Sequence, residues 1–183
     1  MSSITPEQAR AALAKADLLH SSEQIERALD HLAEAVAREL AQRDPLVLVV
    51  MNGAFVAAAH LLGRLQFPLR VGYLHATRYR GGTRGGAIDW IAPPRPDVRG
   101  QTVLVVDDIF DEGDTLKAIL DELHRLGATA VYSAVLADKR HDRKAPGAAV
   151  DFVGLEVPDR YVFGYGMDYH GYWRNLPAIY AVG

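Results

Sequence analysis

The chain predicts an α/β fold: a single domain built on an open, mainly parallel sheet flanked by helices. Three observations carry that prediction. Strand-like and helix-like patterns alternate along most of the chain, as they do in strand–helix–strand units. The run Val103-Leu104-Val105-Val106 is apolar without alternation, which suits a strand covered on both faces. That run ends on Asp107-Asp108, and after a short loop containing Gly113 a helical period begins at Leu116, Ile119, Leu120 and Leu123.

Each element has a local justification. Thr5-Pro6 with Gln8 reads as an N-cap, a first-turn proline and a capping box. Ser21 with Gln24 repeats the signal, and Ile25, Leu29, Leu32, Val36 and Leu40 then mark one apolar helical face. Together they predict an N-terminal helical segment over 5–43. Residues 46–51 read as a buried strand, 54–65 as a helix and 68–75 as a further strand. Between 76 and 100 the chain is rich in Gly, Arg and Pro and shows no clear period. Two more strands are expected at 130–136 and 152–157, and no internal repeat or low-complexity tract appears.

At 183 residues, 49% of them hydrophobic, the chain is long enough for one domain with a substantial core. A net charge of −3 gives no reason to expect a nucleic-acid or anionic-membrane partner. The absence of cysteine excludes a disulfide framework and thiolate chemistry. Residues 1–24 lack the apolar core of a signal peptide, and no segment approaches the ~20 apolar residues of a membrane span. A cytoplasmic enzyme is expected.

The carboxyl end of a parallel strand is where open α/β sheets bind ligands. Strand, tight loop and helix N-terminus together form a phosphate cradle of backbone N–H groups, with the Thr115 hydroxyl beside it. Yet Asp107, Asp108, Asp111, Glu112 and Asp114 crowd this stretch, a poor choice for holding an anion by side-chain charge. The arrangement works if main-chain amides hold the phosphate while carboxylates serve other atoms. Neighbouring acids can accept from two ribose hydroxyls, a divalent cation can offset their charge, and another acid can take a proton. The loop reads as a site for a sugar phosphate.

The stretch VLVVDDIFDEGDTL, residues 103–116, resembles the 5-phosphoribosyl-1-pyrophosphate (PRPP) motif of type I phosphoribosyltransferases, with two acids, two apolar residues and Asp-x-Gly-x-Thr at fixed spacing. Over about 47–182 the resemblance narrows to the hypoxanthine-guanine branch. Val50-Met51-Asn52-Gly53 is similar to the loop that approaches pyrophosphate through its backbone, often by a non-proline cis peptide. The letters alone leave the Asn52-Gly53 bond open between cis and trans. His75 to Gly86, with glycines, three arginines and Tyr79 at the aromatic position, is similar to a flexible lid that closes over pyrophosphate and excludes water. Ala137-Asp138-Lys139-Arg140 resembles the block that supplies a purine-reading lysine. Residues 158–169, PDRYVFGYGMDY, followed by Tyr172-Trp173-Arg174-Asn175-Leu176-Pro177, resemble the base-binding signature.

The resemblance implies a type I phosphoribosyltransferase fold over 1–183, with a lid at about 76–92 and a small base-binding hood at about 150–183. It implies a homodimer or homotetramer and Mg²⁺ as cofactor. PRPP and a 6-oxopurine base are the implied substrates; IMP or GMP and pyrophosphate are the products. The residue roles follow the motifs. Asp111, Glu112, Gly113, Asp114 and Thr115 take the 5′-phosphate, and Asp111 is also the general base for the purine N7 proton. Asp107 and Asp108 meet the ribose hydroxyls or the metal, and Asp168 engages a second magnesium. Asn52, Gly53, Tyr79 and Arg174 face pyrophosphate, and an arginine's planar fork of donors suits that task. Lys139, Tyr161, Val162, Met167 and Asp168 line the purine. An ammonium only donates, so Lys139 favours a 6-oxo group over the 6-amino group of adenine. Tyr161 offers a ring for base stacking, and the Val162 carbonyl accepts from the purine edge.

Four positions depart from the family's usual pattern. Asn52 stands where many members carry lysine, Arg78 holds a lid position often given to serine, and Glu112 and Asp114 replace a threonine and a basic residue. These changes bear on PRPP affinity more than on reaction type. Two alternatives remain: a xanthine-preferring enzyme and a non-catalytic PRPP-sensing module. The second usually adds a DNA-binding segment, but here the N-terminal helical pair carries Glu23, Glu26, Asp30, Glu34 and Glu39 and lacks a basic face.

Overall fold

The computed structural model describes residues 4–78, 88–94 and 96–183. Helix α1 (Pro6–Ala14) begins with the expected capping box, Thr5 Oγ1 accepting from Gln8 N while the Gln8 side chain accepts from Thr5 N. Its exposed Arg10–Glu7 ion pair is screened by solvent and adds little. What attaches the helix is the buried Ala9, whose carbonyl accepts from Trp173 Nε1 at 2.8 Å.

The N-terminal segment is not a simple helical pair. Strand β1 (Asp17–His20) lies between α1 and α2 (Ser22–Leu40), and it pairs across the length of the chain with β9 (Ile179–Ala181). Four residues reading Asp-Leu-Leu-His carry no period that distinguishes a strand from a linker, so only the distant partner defines the element. Helix α2 starts on the second capping box, Ser21 with Gln24, and buries the anticipated stripe Ile25, Leu29, Leu32, Val36 and Leu40.

The main sheet follows. Strand β2 (Leu46–Val50) leads into α3 (Phe55–Leu62), then β3 (Arg70–Arg78) and β4 (Ile88–Ala92). Strand β5 (Thr102–Phe110) leads into α4 (Asp114–Arg125), β6 (Ala130–Arg140) and β7 (Phe152–Pro158). The order is β4-β3-β2-β5-β6-β7, parallel throughout except for the antiparallel edge strand β4. β4 falls in the stretch without sequence period. Val47–Val50, Val103–Val106 and Ala134–Ala137 are buried along their whole length, which accounts for the unalternating apolar runs of three adjacent strands. No described helix is long and apolar enough to cross a membrane.

Residues 150–183 divide between two sheets. β7 extends the main sheet, while β8 (Val162–Phe163) and β9 join β1 in a small antiparallel sheet of order β1-β9-β8. Polar ties fasten this hood to the helices. Tyr165 OH donates to Glu26 Oε1 at 3.2 Å, Glu26 also pairs with Arg64, and Arg64 Nε reaches Asp30 Oδ1 at 2.7 Å. The Arg64 hydrogen bond holds the Glu26 carboxyl below its ordinary value. Burial, then the Glu26 charge, pushes the Tyr165 phenol up.

Gly166 has φ +102°, and a side chain there would strike the carbonyl oxygen of Gly53 in the loop after β2. Gly166→Ala combines a disfavoured backbone region with a clash against main chain. It should cost ~2 kcal/mol or more, read as a lowered urea midpoint; an unchanged midpoint would refute the close approach of hood and loop.

Candidate active site

Three loops meet at the carboxyl edge of β2, β5 and β6. The first follows β2, where the Met51–Asn52 peptide is cis and the chain turns into α3 at Phe55. Asn52-Gly53 therefore follows the cis bond rather than containing it. Gly53 lies against β5: a side chain there would collide with the Asp108 carboxylate.

The second loop ends β5. Asp107 Oδ1 accepts from Asp108 N at 2.9 Å, and Asp108 Oδ1 accepts from Ile109 N at 2.8 Å, so each carboxylate is held by the next residue's amide. Burial, then the neighbouring Asp108 charge, pushes the Asp107 carboxyl well above the ordinary carboxylate range. Burial also raises Asp108, partly offset by its contact with Asp107 and the charge of Arg174. The chain turns at Gly113, φ +88°, where a Cβ would meet the Phe110 ring and Ala148, and α4 starts at once on Asp114. Asp107 and 109–116 line a depression of about 280 Å³ over this turn and the α4 N-terminus. Its first-turn N–H groups and the positive end of the helix dipole suit an anion.

The third loop ends β6. The strand runs to Arg140, three residues past its last apolar position at Ala137, because Asp138 and Lys139 stay paired with Phe110 of β5 and Val157 of β7. That register brings Lys139 to Asp111: Nζ donates to Asp111 Oδ2 at 2.6 Å. His141 Nε2 donates to the other oxygen, Oδ1, at 2.7 Å. The Arg143 amide donates to His141 Nδ1 at 2.9 Å, so that nitrogen carries the lone pair and the ring proton sits on Nε2. Partial burial pulls the Asp111 carboxyl up. The hydrogen bonds from Lys139 and His141, with the Lys139 charge, outweigh it and hold the group below its ordinary value.

A second depression, about 390 Å³, shares Ile109 and Asp111 with the first and is lined further by Asp108, Lys139, Tyr161, Val162, Met167 and Asp168. All five residues expected at the purine are thus gathered there. Val162 and Met167 are buried, whereas Tyr161 is 48% exposed, edge-on to Tyr169 and parallel to His170. Asp168 and Arg174 are paired: Arg174 Nη2 donates to Asp168 Oδ1 at 2.7 Å, and Gly171 N donates to Oδ2 at 2.7 Å. Arg174 Nη1 also donates to the Gly166 carbonyl at 2.6 Å. Tyr79 lies outside the described residues. A separate concavity of about 510 Å³, lined by Leu48, Val71, Tyr73 and Ala92 among others, shares no residue with the site.

His141 is absent from the sequence-based expectation. Within His141-Asp142-Arg143-Lys144 it reads as part of a solvated polar turn, and nothing in the letters links it to an aspartate thirty positions earlier.

The phosphoribosyl transferase domain family matches residues 15–170. A hypoxanthine-guanine phosphoribosyltransferase of Aquifex aeolicus is 36% identical over 170 residues, covering 92% of this chain and 95% of the relative. A hypoxanthine-guanine-xanthine phosphoribosyltransferase of Tritrichomonas foetus is 30% identical, covering 88% of each. The crystal structure of a hypoxanthine phosphoribosyltransferase from Staphylococcus aureus superposes with a TM-score of 0.87 at 26% identity, covering 94% of this chain and 95% of that one.

A carboxyl group whose pKa is lowered by folding stabilises the fold above its unfolded value, and that contribution fades as pH falls through the folded one. Lys139→Met removes a donor and a charge from Asp111, so the Asp111 carboxyl pKa should rise. Carboxyl ¹³C titration measures it, and an unchanged or lower pKa would contradict the pairing.

Proposed function

The chain belongs to the phosphoribosyltransferase family, and from that premise we propose that it transfers the 5-phosphoribosyl group of PRPP to hypoxanthine or guanine in purine salvage. The products are IMP or GMP and pyrophosphate. One observation carries the reading: the anion cradle and the base-sized depression adjoin, and Asp111 and Ile109 line both. A sugar phosphate seated by its 5′-phosphate in the cradle presents its anomeric carbon toward a base held beside Lys139.

In this reading the amides of 111–115 hold the 5′-phosphate and Asp107 and Asp108 accept from the ribose hydroxyls. Asn52, Gly53 and Arg174 face the leaving pyrophosphate. The purine lies against Tyr161 and Met167, and the Val162 carbonyl accepts from its edge. The purine 6-oxo group takes the Lys139 ammonium from Asp111, which frees Oδ2 for the N7 proton while His141 keeps hold of Oδ1. N9 then bonds to the anomeric carbon as the bond to pyrophosphate breaks, and the N7 proton passes to Asp111.

The donor set suits Mg²⁺. Asp107 and Asp108 are adjacent carboxyls whose pKa values burial raises, and a cation relieves that cost. Asp168 has lone pairs beyond those used by Arg174 and Gly171. Among the described residues no cluster of three or more acids or histidines could hold a metal by itself. Mg²⁺ is usually bound through one or two carboxylates together with substrate phosphates. When bound, Mg²⁺ neutralises charge on the pyrophosphate leaving group. The name of the Tritrichomonas relative also supports xanthine as a third base.

Steady-state assays with PRPP and Mg²⁺ against hypoxanthine, guanine, xanthine and adenine test the proposal. Turnover is expected with hypoxanthine or guanine and not with adenine. Asp111→Asn should lower kcat by roughly 10²-fold or more with little change in PRPP affinity. Turnover with adenine, or none with any base, would overturn the assignment.

A further inference from the structure

Asp138 is one of two buried polar or charged side chains among the described residues, and the proposed reaction does not use it. Its Oδ1 accepts from Lys144 Nζ at 2.7 Å. The same ammonium donates to the carbonyls of Phe110 at 2.7 Å and Asp111 at 2.8 Å, and sits 4.0 Å over the Phe110 ring. All three N–H bonds of Lys144 are therefore spent, two of them on the main chain of the loop after β5. The next residue continues the pattern: Ala145 N donates to the Glu112 carbonyl at 2.7 Å.

Three successive carbonyls, at 110, 111 and 112, thus turn toward 144–145. In a trans peptide the C=O and N–H of one plane point in opposite directions. Turning those carbonyls toward 144–145 turns the N–H groups of Asp111, Glu112 and Gly113 the opposite way, and all three residues line the depression at the start of α4. Burying an ion pair seldom gains net stability, because desolvation offsets the attraction. Asp138–Lys144 is therefore better explained by what it positions than by what it stabilises.

We propose that Lys144, held by Asp138, is a positioning residue that sets the peptide planes of the 5′-phosphate cradle. This rests on the reading of 111–115 as that cradle.

The test is phosphate binding followed through backbone amides. In the unaltered protein, inorganic phosphate should shift the ¹H–¹⁵N signals of Asp111, Glu112 and Gly113. Lys144→Met should weaken that binding about tenfold or more and raise the KM for PRPP by a similar factor, with the KM for hypoxanthine changed less than about twofold. Absence of phosphate shifts in the unaltered protein would sink the cradle itself. Shifts there with equal affinity in Lys144→Met would leave the cradle standing and overturn the role of Lys144. The Asp138 carboxylate, whose Oδ2 also accepts from Arg140 Nη1 at 3.3 Å, is removed together with its lysine in Asp138→Leu/Lys144→Met, so a single variant that fails to fold does not end the test. Weak phosphate binding in a stable double variant supports the proposal. Restored binding would overturn it, since the charge of Asp138 alone would then explain the single variant.

Discussion

The carboxylate of Asp111 is gripped from two sides, by Lys139 at the end of β6 and by His141 two residues beyond it. That grip joins the carboxyl ends of neighbouring strands whose apolar interiors carry no directional information of their own. Lys139 is 13% exposed, so an ammonium left without acceptors there would be expensive. Hydrogen bonds to charged groups are about twice as strong as neutral ones, so this contact holds Asp111 firmly. Asp111 lines both the depression over the start of α4 and the one against Tyr161 and Val162.

The sheet order explains why this one residue can be shared. β5 lies between β2 and β6, so the strand ends and loops at 51–54, 107–113 and 138–144 share one edge. The hood covers that edge from both ends of the chain, through β1, β8 and β9. Its approach is close enough that Gly166 meets the Gly53 carbonyl, while Gly53 in turn meets Asp108. Glycine at both positions lets backbone stand where a side chain otherwise would, and the contacts line up from hood to β2 loop to β5.

Much of this was legible in the letters. The double-faced strands, the capping boxes and the acids of the loop after β5 each follow from local periodicity or fixed spacing, and the structure places those residues accordingly. What escaped depends on partners distant in sequence. β1 is a strand only because β9 lies beside it, and β6 continues through Asp138-Lys139-Arg140 because β5 and β7 hold polar residues in register. His141 and Lys144 look like a charged turn until the fold brings them to the main chain and carboxylate of 110–111. Tyr79, expected in the lid, lies outside the described residues.

The central claim is that Asp111 exchanges partners: Lys139 in the free enzyme, the purine in the complex, with His141 constant. A crystal structure with IMP and Mg²⁺ bound tests it most directly. The expected result has Lys139 Nζ within hydrogen-bond distance of the purine 6-oxygen and no longer on Asp111 Oδ2, with His141 Nε2 still on Oδ1. Nucleotide bound with Lys139 still donating to Asp111 would contradict the account.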